Sequence, residues 1–100
     1  MPALTDAASR TDLLNRLKRA EGQLRGIQRM IEEGQETMDI ATQMAAVRKA
    51  LDSTYVRMTV CYMQQELQTT PAPVGEAQPD PGKQLETVLE GVQDLLNKIR

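Results

Sequence analysis

Leu13, Leu17, Ala20, Leu24, Ile27 and Ile31 recur at alternating steps of four and three residues. That spacing draws a narrow apolar stripe along one helix. The faces between carry Arg16, Lys18, Arg19, Arg25 and Arg29. The pattern predicts a helix starting after a cap at Ser9, ahead of Asp12, or at Thr11. It runs to about Glu33, where Gly34 is suited to the left-handed residue that ends a helix. Gly22 and Gly26 lie inside it, each costing up to about 1 kcal/mol against Ala. Close approach of another backbone would explain them.

A second helix is predicted over residues 37 to 68. Its stripe is Ile40, Met44, Val47, Leu51, Thr54, Met58 and Cys61. Val56, Val60, Met63 and Leu67 add a second stripe, so the later half is apolar on more than one side. A helix of that kind is sandwiched between neighbours. Residues 69 to 82 hold Pro71, Pro73, Pro79 and Pro81 with Gly75 and Gly82, and read as a non-helical linker. A third helix follows within residues 83 to 100, with Leu85, Val88, Val92, Leu95 and Ile99 on one side. Residues 1 to 8 read as a loose arm, and residues 9 to 68 as the helical core. No strand pattern and no tandem repeat occurs, so the fold class is all-α with three helices.

Composition sharpens this picture. The 100 residues include no Phe and no Trp. A monomer would therefore have a thin core of Leu, Ile, Val, Met and Ala, and self-association is the usual remedy. The single Cys61 excludes an intrachain disulfide and fits a reducing cytoplasm. No secretory leader pattern and no apolar run of membrane-spanning length is visible, so a cytoplasmic, membrane-free protein is expected. The net charge of −2 hides an asymmetry. Residues 1 to 30 carry six Lys or Arg against three Asp or Glu, a balance of +3, and the remainder balances at −5. A basic helix face on an acidic chain suits a polyanion such as a nucleic-acid backbone.

The run Asn15-Arg16-Leu17-Lys18-Arg19-Ala20-Glu21-Gly22-Gln23-Leu24-Arg25-Gly26-Ile27 resembles the first-helix signature of the CsoR/RcnR/FrmR family. These are small bacterial repressors that sense copper, nickel or cobalt, formaldehyde or reactive sulfur. Thr42-Gln43-Met44-Ala45-Ala46-Val47-Arg48 resembles the second-helix signature, and Gln65-Glu66-Leu67 is similar to the end of that helix. The resemblance covers residues 10 to 68 without a gap. It implies a helical hairpin that pairs into an antiparallel four-helix-bundle dimer, with two dimers forming a tetramer. It also implies double-stranded operator DNA as partner, bound through phosphates and duplex shape rather than by a helix-turn-helix.

On that footing Arg16, Lys18, Arg19, Arg25, Arg48 and Lys49 are the expected DNA-binding residues, Arg16 and Arg48 foremost. The plain alternative is a solvated face with intrahelical pairs, and it is kept for Arg29 and Arg57. Many copper sensors of the family carry a basic residue where this chain has Ser53, so their operator sequence does not transfer.

The family's effector site is assembled across the dimer from a Cys on one chain and a His followed by Cys, His or Glu on the other. The matching positions here are Thr37, Tyr62 and Glu66. There is no His in the chain, and one carboxylate with two hydroxyls is a poor transition-metal donor set. No metal or other cofactor is expected, and the effector is left open. Thr37 is expected to cap the second helix. Tyr62 and Glu66, one turn apart, would share a face as a polar remnant. Cys61 falls on the seam, where a small buried hydrophobe is expected. Its functional alternative is a thiol that senses oxidants or electrophiles, or one Cu(I) ligand beside Met58 or Met63. Pro2 has lost its formaldehyde cross-linking partner to Thr37 and reads as an ordinary second residue. Glu86 and Glu90 read as a solvated face.

The expected function is a DNA-binding repressor with a degenerate or altered effector site. The alternative is a helical interaction module that pairs with a related subunit without binding DNA. An enzyme is not expected, because no His, nucleophile–base pair or phosphate-binding glycine loop is present.

Overall fold

A computed structural model describes residues 2–68 and 81–99. It contains three helices, α1 (Ala7–Glu32), α2 (Thr37–Leu67) and α3 (Pro81–Asn97), and no strand among the described residues. The all-α expectation is met. α1 and α3 both pack on α2 and not on each other, again among the described residues. All three therefore lie side by side in one layer with α2 in the middle. The molecule is only 13 Å thick, about one helix diameter. Its radius of gyration is 19.0 Å, against about 13 Å for a compact chain of this length.

The hairpin is closed by a Schellman turn. Gly34 sits at φ 70°, and the Gly34 and Gln35 amides donate to the Ile31 and Met30 carbonyls at 3.1 and 3.0 Å. The expected stop at Gly34 is thus met. The start is not where Ser9 or Thr11 would put it. Asp6 is the N-cap, and its Oδ2 accepts from the Ser9 amide at 2.9 Å. A carboxylate is as good a cap as a hydroxyl, and this one begins the helix a turn earlier. The Ser9 side chain and amide both hold the Asp6 carboxyl below its usual range. Where a loose arm is expected, Gln65 clasps the chain. Its Oε1 accepts from Thr5 N at 2.7 Å and its Nε2 donates to the Ala3 carbonyl at 2.8 Å.

The cap expected at Thr37 is also corrected. Glu36, extended at φ −58° and ψ 136°, is the N-cap of α2, with no side-chain cap bond. Thr37 is already the first helical residue. The expected linker lies mostly on residues 69 to 80, outside those described. Pro81 and Gly82, counted with it, instead open α3, because proline is tolerated in a first helical turn.

The predicted stripes split by heptad. Leu13, Ala20 and Ile27 of α1 are buried against Val47, Thr54 and Cys61 of α2. The other half of the α1 stripe stays open, with Leu17 45%, Leu24 44% and Ile31 60% exposed. Met44 and Leu51 are exposed likewise on α2. The hairpin thus uses one line of each stripe internally and leaves the next uncovered. Gly22 and Gly26 face open space within the chain. Nothing in the chain lies within 4 Å of a Cβ built at either, so no backbone of the same chain approaches them.

α3 runs antiparallel to α2, and contacts among the described residues show how it is seated. The Tyr55 hydroxyl donates to the Leu95 carbonyl, and Gln84 Nε2 donates to the Glu66 carbonyl at 2.9 Å. Between them the hydroxyl end of the Tyr62 ring abuts Gly91, where a Cβ would meet Tyr62 Oη at 2.5 Å and Cε1 at 2.9 Å. Gly91→Ala should therefore push α3 off α2, at a cost of about 1–3 kcal/mol. Hydrogen exchange should show lost protection in α3 with the α1–α2 hairpin intact.

Candidate nucleic-acid interface and effector positions

The two faces of the hairpin differ in chemistry. One carries an apolar groove of about 560 Å³, floored by Leu13, Leu17, Leu51 and Met58 and closed at one end by Leu4 and Arg10. The opposite face carries a smaller cleft of about 250 Å³ between α1 and α2. Arg16, Arg19 and Gln23 line it from α1, and Ala50 and Ser53 from α2. Thr54 lies in the seam between them, its hydroxyl donating to the Ala50 carbonyl at 2.8 Å. The basic positions of α1 and the polar positions of α2 thus converge on a concave surface opposite the greasy one.

Arg16 is half-buried beside this cleft. Its Nε meets Asp12 Oδ1 and Oδ2 at 3.2 and 3.3 Å. Asp12 Oδ2 also accepts from Arg57 Nε at 3.2 Å, across the helix boundary. One carboxylate is shared by two guanidinium groups, a cluster with one positive charge in excess. Partial burial works to raise the Asp12 carboxyl, but the hydrogen bonds of Arg57 and Arg16, with their charges, outweigh it and hold it below its usual range. Arg57, read from the sequence as surface, is exposed, and its bond to Asp12 seats it beside Arg16. No sequence rule flags a pair 45 residues apart.

The other basic residues are spread more widely. Arg25 Nη2 forms an exposed pair with Glu21 at 2.6 Å, four residues back along α1. Lys18, Arg48 and Lys49 are exposed. Arg48 precedes Ser53 by five residues, about 140° around α2. It shares the edge with Met44 and Leu51, so a single chain does not bring Arg16 and Arg48 onto one face.

The effector positions are likewise separated. Thr37 opens α2 and is exposed, while Tyr62 stands 25 residues on, about 38 Å along the helix. Tyr62 is 4% exposed under α3. Burial first, then the charges of Glu66 and Asp94, push its phenol up. Tyr62 and Glu66 thus share the α3-facing side, as their one-turn spacing predicts. Pro2 and Thr37 lie at opposite ends of the hairpin. Cys61, 2% exposed, is packed in the seam as a small hydrophobe. Glu86 and Glu90 are exposed. No group of three or more His, Cys, Asp or Glu fit to hold a metal occurs among the described residues. Soft and borderline cations favour thiolate and imidazole donors, and these three positions carry a hydroxyl, a phenol and a carboxylate.

Comparison with known proteins agrees with the sequence signatures. The profile of a family described as metal-sensitive transcriptional repressor matches residues 9–100. The chain is 58% identical over 38 residues to the copper-sensing transcriptional repressor RicR of Mycobacterium tuberculosis, covering 38% of this chain and 40% of that protein. It is 51% identical over 39 residues to the copper-sensing transcriptional repressor CsoR of Bacillus subtilis, covering 39% of each. The matched stretches thus span about two fifths of the length of these relatives.

The Asp12 cluster makes a pH prediction. Because the folded carboxyl is held low, its contribution is present above the unfolded value of about 3.9 and is lost as pH falls through the folded value. A carbon-13 titration of the Asp12 carboxyl should midpoint below that of an unfolded peptide. Arg57→Ala and Arg16→Ala should each move it upward. A midpoint unmoved by either change would show that the ion pairs do not form in solution.

Proposed function

The chain belongs to the metal-sensitive transcriptional repressor family, and on that premise we propose that it is a DNA-binding repressor whose effector site has been altered. The observation that carries the reading is the two-faced hairpin. Arg16 and Arg19 flank a polar cleft on one side, and uncovered leucines line the other. Pairing of two chains through the apolar groove, as an antiparallel four-helix bundle, would turn both clefts outward. Dimers would then stack in pairs to give a tetramer. Arg16, Lys18, Arg19 and Arg25 of α1, with Arg48 and Lys49 of α2, would neutralise phosphates of double-stranded operator DNA and release counterions. Arg48, off the Arg16 face in a single chain, would join it only through a neighbouring chain.

Metal sensing does not follow from the family match here. The donors at Thr37, Tyr62 and Glu66 lack the thiolate and imidazole that copper or nickel needs. An effector that binds the DNA-competent and DNA-free forms unequally would still release the operator. Cys61 is the one thiol through which oxidants or electrophiles could act. No helix of the described residues is long and apolar enough to cross a membrane, and we place the protein in a bacterial cytoplasm. The family is one of transcriptional repressors, not enzymes.

A gel shift on the chain's own promoter, repeated across salt, tests the reading. Binding should fall steeply with added salt, and Arg16→Ala should weaken it and flatten the slope by about 0.9 for each engaged copy. No shift at low salt would favour the non-DNA-binding interaction module. Stoichiometric Cu(I) or Ni(II), added to the protein–DNA complex beside formaldehyde and polysulfide arms, should leave the DNA bound. Release by either metal would overturn the altered-site reading.

A further inference from the structure

Arg57 lies outside every residue so far assigned to DNA, yet it occupies the same face of α2 as the cleft. It follows Ser53 by one turn, so the two side chains stack along one line of the helix. Its guanidinium is tethered to α1 through Asp12 Oδ2 at 3.2 Å. Arg16 Nε meets both oxygens of that carboxylate, Oδ1 at 3.2 Å and Oδ2 at 3.3 Å. All three side chains are partly open to solvent, Arg57 at 47%, Arg16 at 39% and Asp12 at 37%. Two planar donors from different helices therefore converge on one acidic group at the surface. A carboxylate and a phosphodiester offer such a pair the same kind of acceptor, two adjacent anionic oxygens that guanidinium N–H groups can engage. The cluster has the form of a phosphate site already filled by an internal anion.

We propose that Arg57 and Arg16 together form a two-helix clamp for one DNA phosphate, and that Asp12 is the internal competitor that keeps the clamp spread and must yield when DNA binds. The proposal deepens the repressor reading and rests on it. Asp12 would oppose binding, because its own pairs with Arg16 and Arg57 must break before either guanidinium can engage a phosphate. The alternative is that Arg57 merely ties α2 to α1 through Asp12 and never meets DNA.

A double-mutant cycle read by salt dependence separates the two. The probe is a duplex of the chain's own promoter, with Arg57→Ala, Asp12→Ala and the double variant. A clamp predicts that Arg57→Ala flattens the log–log salt slope by about 0.9 per engaged copy. It predicts that Asp12→Ala tightens binding roughly twofold to fivefold, the scale of one exposed ion pair. It also predicts that Arg57→Ala still weakens binding when Asp12 is already absent. Arg57→Lys keeps the charge and should keep the slope, while losing part of the affinity through the missing fork. Far-ultraviolet circular dichroism and sedimentation should show all variants folded and assembled as the parent. An unchanged slope in Arg57→Ala, an Arg57 effect that vanishes without Asp12, or weaker binding by Asp12→Ala would each overturn the clamp. In those cases the parent protein still binds, and the repressor reading stands. If the parent fails to shift DNA at low salt, the repressor reading falls and the clamp with it.

Discussion

Everything in this molecule follows from burying apolar surface with a layer one helix thick. A globular domain closes its core between two packed layers. Here three helices lie edge to edge, and each can hide only the line of side chains facing its neighbour. Leu13, Ala20 and Ile27 meet Val47, Thr54 and Cys61 along that line. Leu17, Leu24 and Ile31, on the adjacent line of α1, stay about half exposed. Burial is worth about 25 cal/mol for each Å² removed from water. The uncovered groove is therefore a standing drive toward a second layer, which the chain does not itself supply.

The same constraint sorts charge from grease. With one side of the hairpin committed to apolar residues, polar chemistry has only the other side and the outer edges. Arg16, Arg19, Gln23 and Ser53 take the far side. The Asp12 carboxylate between Arg16 and Arg57 keeps like charges from repelling across the helix boundary. α3 then covers the remaining flank of α2, which explains why α2 is apolar on more than one side. Its docking leaves Tyr62 under a glycine rather than open to any ligand.

Much of this was legible in the sequence, because it is local. The four-three spacing gave both long helices, and Gly34 marked the turn. The one-turn spacing of Tyr62 and Glu66 put them on a common side. The misses have physical causes. Asp6 and Ser9 are both good cap residues, and spacing cannot decide between caps one turn apart. Stripe membership could not tell Leu13 from Leu17, because which line faces inward depends on how the two rods are rotated. Gly91 carried no sequence signal, since its role depends on a ring 29 positions earlier. Arg57 was passed over because its partner lies on a different helix. Features set by distant pairs are invisible to periodicity.

The lone sulfhydryl of Cys61, sealed in the seam between α1 and α2, gives the protein a built-in stopwatch. An alkylating reagent can react with it only when the packing around it opens, so modification rates measure breathing of this part of the core directly. No engineered cysteine or fluorophore is needed, and no second thiol exists to confuse the signal. Anything that grips the hairpin, whether a sister subunit or a duplex, would announce itself as slower labelling.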